Sequence, residues 1–220
     1  MDLDEALYTT RAMRRLKPDP LPGDVVHRII DAAVRSPSGG NSQGYRFVTV
    51  SAQETKIELG RLYAEAWDLL RGVDPADDPS SQPRELSADY RSTQWQVDHF
   101  ADIPLWVLAF GTDPCKSWSP LVASASVIPA VWSLMLSARG QGLGTALTTM
   151  LGMYRNEEVC KLIGVPSGEN WMNYAAVSVG YPTGRWGIAK RTPSNEVAFE
   201  ERWGEVATWN GDTPLWSGSN

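Results

Sequence analysis

Two clusters in this sequence carry residue types suited to a charged organic ligand: Arg11-Ala12-Met13-Arg14-Arg15 and, further along, Ser36-Pro37-Ser38-Gly39-Gly40-Asn41-Ser42-Gln43. Glycines let backbone approach a ligand closely, Ser and Asn side chains bond its polar edges, and guanidinium groups offer forked donors to phosphate oxygens. Together they suit a phosphorylated cofactor. Other chemical apparatus is thin. His27 and His99 have neither metal-ligand spacing nor a visible partner for a nucleophile. The Gly142-Leu143-Gly144 run lacks the third glycine and the downstream acidic residue of a dinucleotide fingerprint. The two cysteines, Cys115 and Cys160, are too far apart for a metal knuckle or a disulfide framework and read as reduced, buried or half-buried thiols.

Helical and strand signals alternate around these clusters. Asp24 precedes Val25, Val26, Ile29, Ile30, Ala33 and Val34, an apolar stripe at helical spacing that Pro37 soon ends. Residues 45–50, aromatic and β-branched, predict a strand. Ser51 and Glu54 form a capping box for a helix over 53–70. Residues 72–83 are polar, acidic and proline-rich, a long loop that is either functional or disordered, and it leads into a helix over about 84–100. Beyond it the pattern predicts a buried strand over 104–110, an apolar helix over 125–139, and strands over 144–150 and 175–180. Trp203, Trp209, Pro214 and Trp216 occur in a tail too apolar to float.

A chain of 220 residues can bury one sizeable core, so a single domain over 1–220 is expected. A net charge of -6 argues against a nucleic-acid partner, which makes the arginines near residue 11 a local site. Residues 1–8 are acidic without an apolar h-region. No run approaches about eighteen consecutive apolar residues, so a cytoplasmic location without membrane attachment is expected.

Thr9-Thr10-Arg11-Ala12-Met13-Arg14-Arg15-Leu16, Pro18-Asp19-Pro20, the Ser36 to Gln43 loop and Arg46-Phe47 together resemble the N-terminal signature of the FMN-dependent nitroreductase family. Gln141 to Thr149 resembles that family's Gly-Leu-Gly strand entry. Gly180-Tyr181-Pro182, Lys190-Arg191-Thr192-Pro193 and Glu201-Arg202-Trp203-Gly204 resemble its C-terminal signature. The resemblance implies an α+β fold, with a central mixed or antiparallel sheet between helices, in an intertwined homodimer. It implies a lid over about 66–100 that sets substrate choice, and a dimer-wrapping extension over about 203–220. The tail folding onto its own core is the alternative.

The resemblance also assigns residues. Arg11 and Arg191, with Lys190 or Arg15 assisting, would hold the FMN phosphate, which carries about two negative charges. Arg14 would stand beside N1 and the C2 carbonyl of the flavin. Ser38, Gly39 and Asn41 would lie against the ribityl chain or the ring edge, with Pro37 bounding the ring. Leu147, Thr148 and Thr149 would pass the isoalloxazine, a backbone N–H near Thr149 reaching N5; threonines on a strand are otherwise simply good β formers. Tyr90 and Trp95 would face an acceptor from the lid, or merely pack it. Two positions depart from the commonest family pattern. Thr10, Arg11 and Ala12 stand where two arginines and a serine are usual, so Thr10 would supply a hydroxyl and the contact at Ala12 is lost. Trp132-Ser133 replaces Gln-Asn, and Trp132 reads as core.

The implied activity is hydride transfer from NADH or NADPH, bound transiently, to an electron-poor small molecule such as a nitroaromatic, quinone or enone. Reductive dehalogenation or flavin-linked dehydrogenation on the same scaffold, and flavin binding without turnover, are the alternatives.

Overall fold

The computed structural model describes residues 1–72, 87–113, 120–209 and 216. Cys115, Pro214 and most of the 72–83 loop lie outside the described residues. The chain divides into two compact units, Ala12–Gly184 and a smaller one made of Met1–Arg11 with Arg185–Asn220.

The larger unit is built on an antiparallel sheet of β1 (Tyr45–Val50), β2 (Leu105–Thr112), β3 (Gly144–Thr148) and β4 (Trp171–Gly180), in the order β1-β2-β4-β3. Its helices are α2 (Gly23–Ala33), α3 (Gln53–Arg71), α4 (Ala88–Asp98), α5 (Pro120–Gly140) and α6 (Met150–Ile163). The smaller unit carries α1 (Leu3–Thr9) and α7 (Ser194–Val197). This is an α+β fold.

β2 explains why the sheet has two cores. Its apolar residues alternate sides: Trp106, Leu108 and Phe110 join Leu59, Leu62, Tyr63, Leu151 and Val159 of α3 and α6, whereas Leu105, Val107 and Ala109 join Ile29, Val131 and Leu134 of α2 and α5. A central strand covered on both faces reads as an unbroken apolar run. Phe100 stacks on Trp106 at 3.9 Å, and the Trp106 indole N–H donates to the Phe100 carbonyl at 3.1 Å. Lys56 is also buried here; its ammonium donates to the Ile103 carbonyl at 3.0 Å, and burial pushes its pKa down against the opposing charge of Asp102.

Several expectations are corrected. The capping box does not form: α3 starts at Gln53 with Ala52 as N-cap and no side-chain cap bond, so Ser51 lies outside the helix. The strand expected over 144–150 ends at Thr148, because Met150 already opens α6, a helix the sequence pattern does not announce. β4 begins at Trp171, ahead of the expected 175. Trp132 is not core; it is 38% exposed. The buried stripe of α5 runs through Val127, Ala130, Val131, Leu134 and Ala138, whereas Leu121, Ile128 and Trp132 recur on another face. Within Leu121–Gly140 an eighteen-residue window has a mean hydropathy of 1.8, long and apolar enough by composition to cross a membrane, though 44% of it is buried in the protein.

Candidate functional site

Backbone pairing fixes the first arginine cluster. Met13 N–H donates to the Thr145 carbonyl at 2.8 Å, Thr183 N–H to the Arg15 carbonyl at 3.1 Å, and Lys17 N–H to the Tyr181 carbonyl at 2.8 Å. Residues 12–13 therefore lie along the β3 edge and residues 15–17 along the segment that follows β4, with Met13 and Leu16 buried and Ala12 exposed beside Thr145. Arg14, between these anchors, is 17% exposed. Its Nη1 donates to Ser92 Oγ at 3.5 Å and lies 3.7 Å from Asp89 Oδ1, both on α4. Arg15 points elsewhere: it is exposed, its guanidinium 5.5 Å from the Trp95 ring centre.

The Ser38 loop is held in an unusual conformation. Gly40, Asn41 and Gln43 have φ of 57°, 55° and 49°, left-handed values that cost a non-glycine residue about 1 kcal/mol or more. Local bonds hold the loop there. Gln43 N–H donates to Ser38 Oγ at 3.0 Å, and Gly39 N–H to Ser126 Oγ on α5 at 3.1 Å. Gly39 is obligatory for that docking, since a Cβ would fall 2.5 Å from Val122 Cγ1. Pro37, Gly39 and Asn41 remain exposed and Ser38 half-buried.

At the far end of β3, Leu147 and Thr148 are half-buried and Thr149 exposed. Thr149 is the N-cap of α6 but makes no side-chain cap bond. Thr148 Oγ1 accepts from Met150 N–H at 3.3 Å instead, and Thr149 Oγ1 donates to Met153 Sδ at 3.2 Å. Tyr63 is buried near Thr148. Burial pushes the Tyr63 phenol up; the Thr148 hydroxyl and the Arg14 charge oppose the rise. Tyr63 therefore stays a neutral donor near neutral pH.

In the smaller unit, Ala189 N–H donates to the Tyr8 carbonyl at 2.8 Å. The bond joins the chain just ahead of Thr10 and Arg11 to the chain just ahead of Lys190 and Arg191. Thr10 Oγ1 is buried with no hydrogen-bond partner, an arrangement that costs about 1–3 kcal/mol unless a ligand supplies one. Arg11 Nη2 donates to the Arg185 carbonyl at 3.0 Å, and Arg191 Nη1 to the Lys190 carbonyl at 2.8 Å; all three cations are exposed.

The two aromatics expected to face an acceptor are engaged within the protein. Tyr90 packs on Trp67 at 5.1 Å, and Trp95 stacks on His99 at 4.2 Å. His27 is exposed on α2. Among the described residues no group of His, Cys, Asp and Glu could hold a metal ion, and Cys160 is a half-buried thiol. Sequence reasoning missed Tyr63, Gln96 and Ser178, polar residues on three separate elements that only tertiary packing brings together.

The arrangement has known counterparts. The model of the Nitroreductase family matches residues 7–181. The chain is 29% identical to an NADH dehydrogenase of Thermus thermophilus over 215 residues, covering 90% of this chain and 96% of that protein. It is 26% identical to a 5,6-dimethylbenzimidazole synthase of Rhodospirillum rubrum, covering 82% of each. Among solved structures, a nitroreductase with bound FMN from Desulfitobacterium hafniense matches with a TM-score of 0.67 at 20% identity, covering 91% of this chain and 100% of that one. Because the family match takes in the whole sheet, both of its cores and the Arg14 and Ser38 segments, this chain belongs to the nitroreductase family.

Proposed function

We propose that the protein is an FMN-dependent oxidoreductase that carries hydride from NADH or NADPH to an electron-poor small molecule of the nitroaromatic, quinone or enone type. Bound FMN supplies the redox chemistry by taking hydride at N5 and giving it up to the acceptor. The protein's task is to bind, orient and tune. The observation carrying this reading is the Ala189–Tyr8 bond, which joins the chain just ahead of Lys190-Arg191 to the chain just ahead of Thr10-Arg11, where the buried Thr10 hydroxyl has no partner. That donor set fits a phosphate monoester. Arg11 and Arg191 bind it, Lys190 adds charge, and Thr10 supplies the hydroxyl. Arg14 tunes the ring electrostatically, Ser38, Gly39 and Asn41 flank it, and the Thr148–Thr149 turn meets its reactive edge. The Thr149 hydroxyl at that turn donates a hydrogen bond to Met153 Sδ.

The protein's own surface supports a homodimer. Trp203 is 93% exposed, and Leu121, Ile128 and Trp132 are uncovered on α5. A second copy that lends its extension covers such surface.

Anaerobic mixing of the FMN-loaded protein with NADH or NADPH tests the enzymatic reading. Bleaching of the flavin band within seconds is expected, followed by recovery when a quinone or nitroaromatic is added. A protein that binds FMN but never bleaches is a binding module, and one that binds no FMN is neither. The phosphate assignment is tested apart from turnover. Replacing Arg11 or Arg191 with Ala is expected to weaken FMN roughly ten- to a hundredfold while leaving riboflavin affinity nearly unchanged. Equal losses for both ligands would show that these arginines do not meet phosphate.

A further inference from the structure

One stripe of α4 carries Asp89, Ser92 and Gln96, positions one and two helical turns apart, exposed at Asp89 and buried at Gln96. The first two meet Arg14; the third reaches the sheet. Gln96 is 1% exposed, and both ends of its amide are used. Tyr63 Oη donates to Gln96 Oε1 at 3.4 Å, and Gln96 Nε2 donates to Ser178 Oγ at 2.9 Å. Ser178 Oγ in turn donates to the Ala146 carbonyl at 3.4 Å, across the register pair that joins β4 to β3. On the other side Tyr63 stands near Thr148, whose oxygen accepts from Met150 N–H. The bonds run in one sense: Tyr63 to Gln96, Gln96 to Ser178, Ser178 to Ala146. Each hydroxyl has one proton, so each link sets the rotor of its neighbour.

We propose that Gln96 is a positioning residue for the β3–α6 junction, fixing the Ala146 carbonyl of β3 through Ser178 and the Tyr63 hydroxyl near Thr148, so that lid helix and reactive turn hold one register. The inference rests on the reading above that this turn borders the flavin. It is not a proton relay, because an amide in the chain and a backbone carbonyl at its end pass no proton onward. The consequence is directional. Loss of Gln96 leaves two buried hydroxyls to reorient, and the turn loosens where hydride transfer demands alignment.

Three variants test it in the FMN-loaded protein: Gln96→Met, which removes both bonds at similar volume; Tyr63→Phe, which cuts only the bond from Tyr63; and Gln96→Glu. The first readout is the Thr148 methyl resonance. It is expected sharp and single in the parent protein, and split or broadened in Gln96→Met and Tyr63→Phe. The second is kinetic. Gln96→Met is expected to lower kcat about tenfold with NADH KM held within about twofold, since alignment is lost and binding is not. The third is a pH profile. The carboxyl that Gln96→Glu introduces, when protonated, accepts from Tyr63 and donates to Ser178 as the native amide does; ionised, it has no proton to donate. Gln96→Glu is therefore expected to approach the parent rate at low pH and to fall to the Gln96→Met rate as pH rises through the burial-raised pKa of that carboxyl, whose ionisable hydrogen-bond neighbour is Tyr63. Variants that only melt earlier, with the Thr148 methyl unmoved and Gln96→Glu flat with pH, overturn the proposal. Failure of the parent protein to bind FMN overturns the functional reading instead, and the methyl resonance still decides the positioning.

Discussion

Gly152→Ala is expected to destabilise the protein by about 3 kcal/mol or more, a fall in Tm of roughly 6–12 °C for a chain of this size, read as a lowered urea midpoint with an unchanged slope. Gly152 sits in the first turn of α6 where the helix presses on β4. A Cβ there would fall 1.7 Å from the Asn173 carbonyl oxygen and 2.9 Å from its carbon. Backbone cannot step aside as a flexible side chain can. The helix must lift, breaking the 2.8 Å bond from Asn173 N–H to Asn156 Oδ1 and pulling on Thr149 and Met150 at its start. Alanine is ordinarily better than glycine inside a helix by about 1 kcal/mol, so the expected sign opposes propensity. Gly164→Ala is the control: its φ of 76° makes alanine strained, but the space around it is open, so a cost near 1 kcal/mol is expected. A Gly152→Ala protein as stable as the parent would mean that α6 does not lie this close to β4.

The same glycine shows where sequence stops informing structure. A lone glycine inside a helical stretch announces a close approach but not what approaches. β1 was legible to the residue because Tyr45 to Val50 is rich in aromatic and β-branched types and follows the turn residues of the Ser38 loop. β2 was legible because an unbroken apolar run between polar flanks suits a strand buried on both faces. α6 was not. Its apolar pattern follows three strand-favouring residues without a break, and the non-helical φ of -140° at Arg155 interrupts its period. Trp132 misled for another reason: residue type argues for burial, but the helix has one buried stripe and residue 132 lies off it. The arginines and the Ser38 loop stood out by type and spacing. Tyr63, Gln96 and Ser178 did not, since a buried polar chain across three elements leaves no local trace. Legibility thus followed the range of the interaction. Period and turn chemistry are local, whereas hydrogen-bond partners and close approaches are set by packing.

Arg14→Met is expected to lower the two-electron potential of the bound cofactor by roughly 30–60 mV, because one to two steps of about 1.4 kcal/mol of preferential stabilisation are lost and each is worth about 30 mV for a two-electron couple. The reduced, anionic form carries charge near N1 and the C2 carbonyl, and a fixed guanidinium in a partly dry site favours it over the neutral oxidised form. The surroundings of Arg14 suit that task. Backbone bonds at Met13 and Arg15 hold the chain on either side, and the side chain is 17% exposed. Its acidic neighbour does not neutralise it: Asp89 is 94% exposed at 3.7 Å, where water and salt screen the pair to within about 1 kcal/mol. Methionine keeps the length and removes the charge. NADH should then reduce the variant more slowly, in proportion to the lost driving force. Were Arg14 a phosphate ligand instead, FMN would bind more weakly while the potential of the flavin that remained bound stayed the same. Spectroelectrochemical titration with excess FMN separates the two, and an unchanged potential refutes placement of Arg14 beside N1.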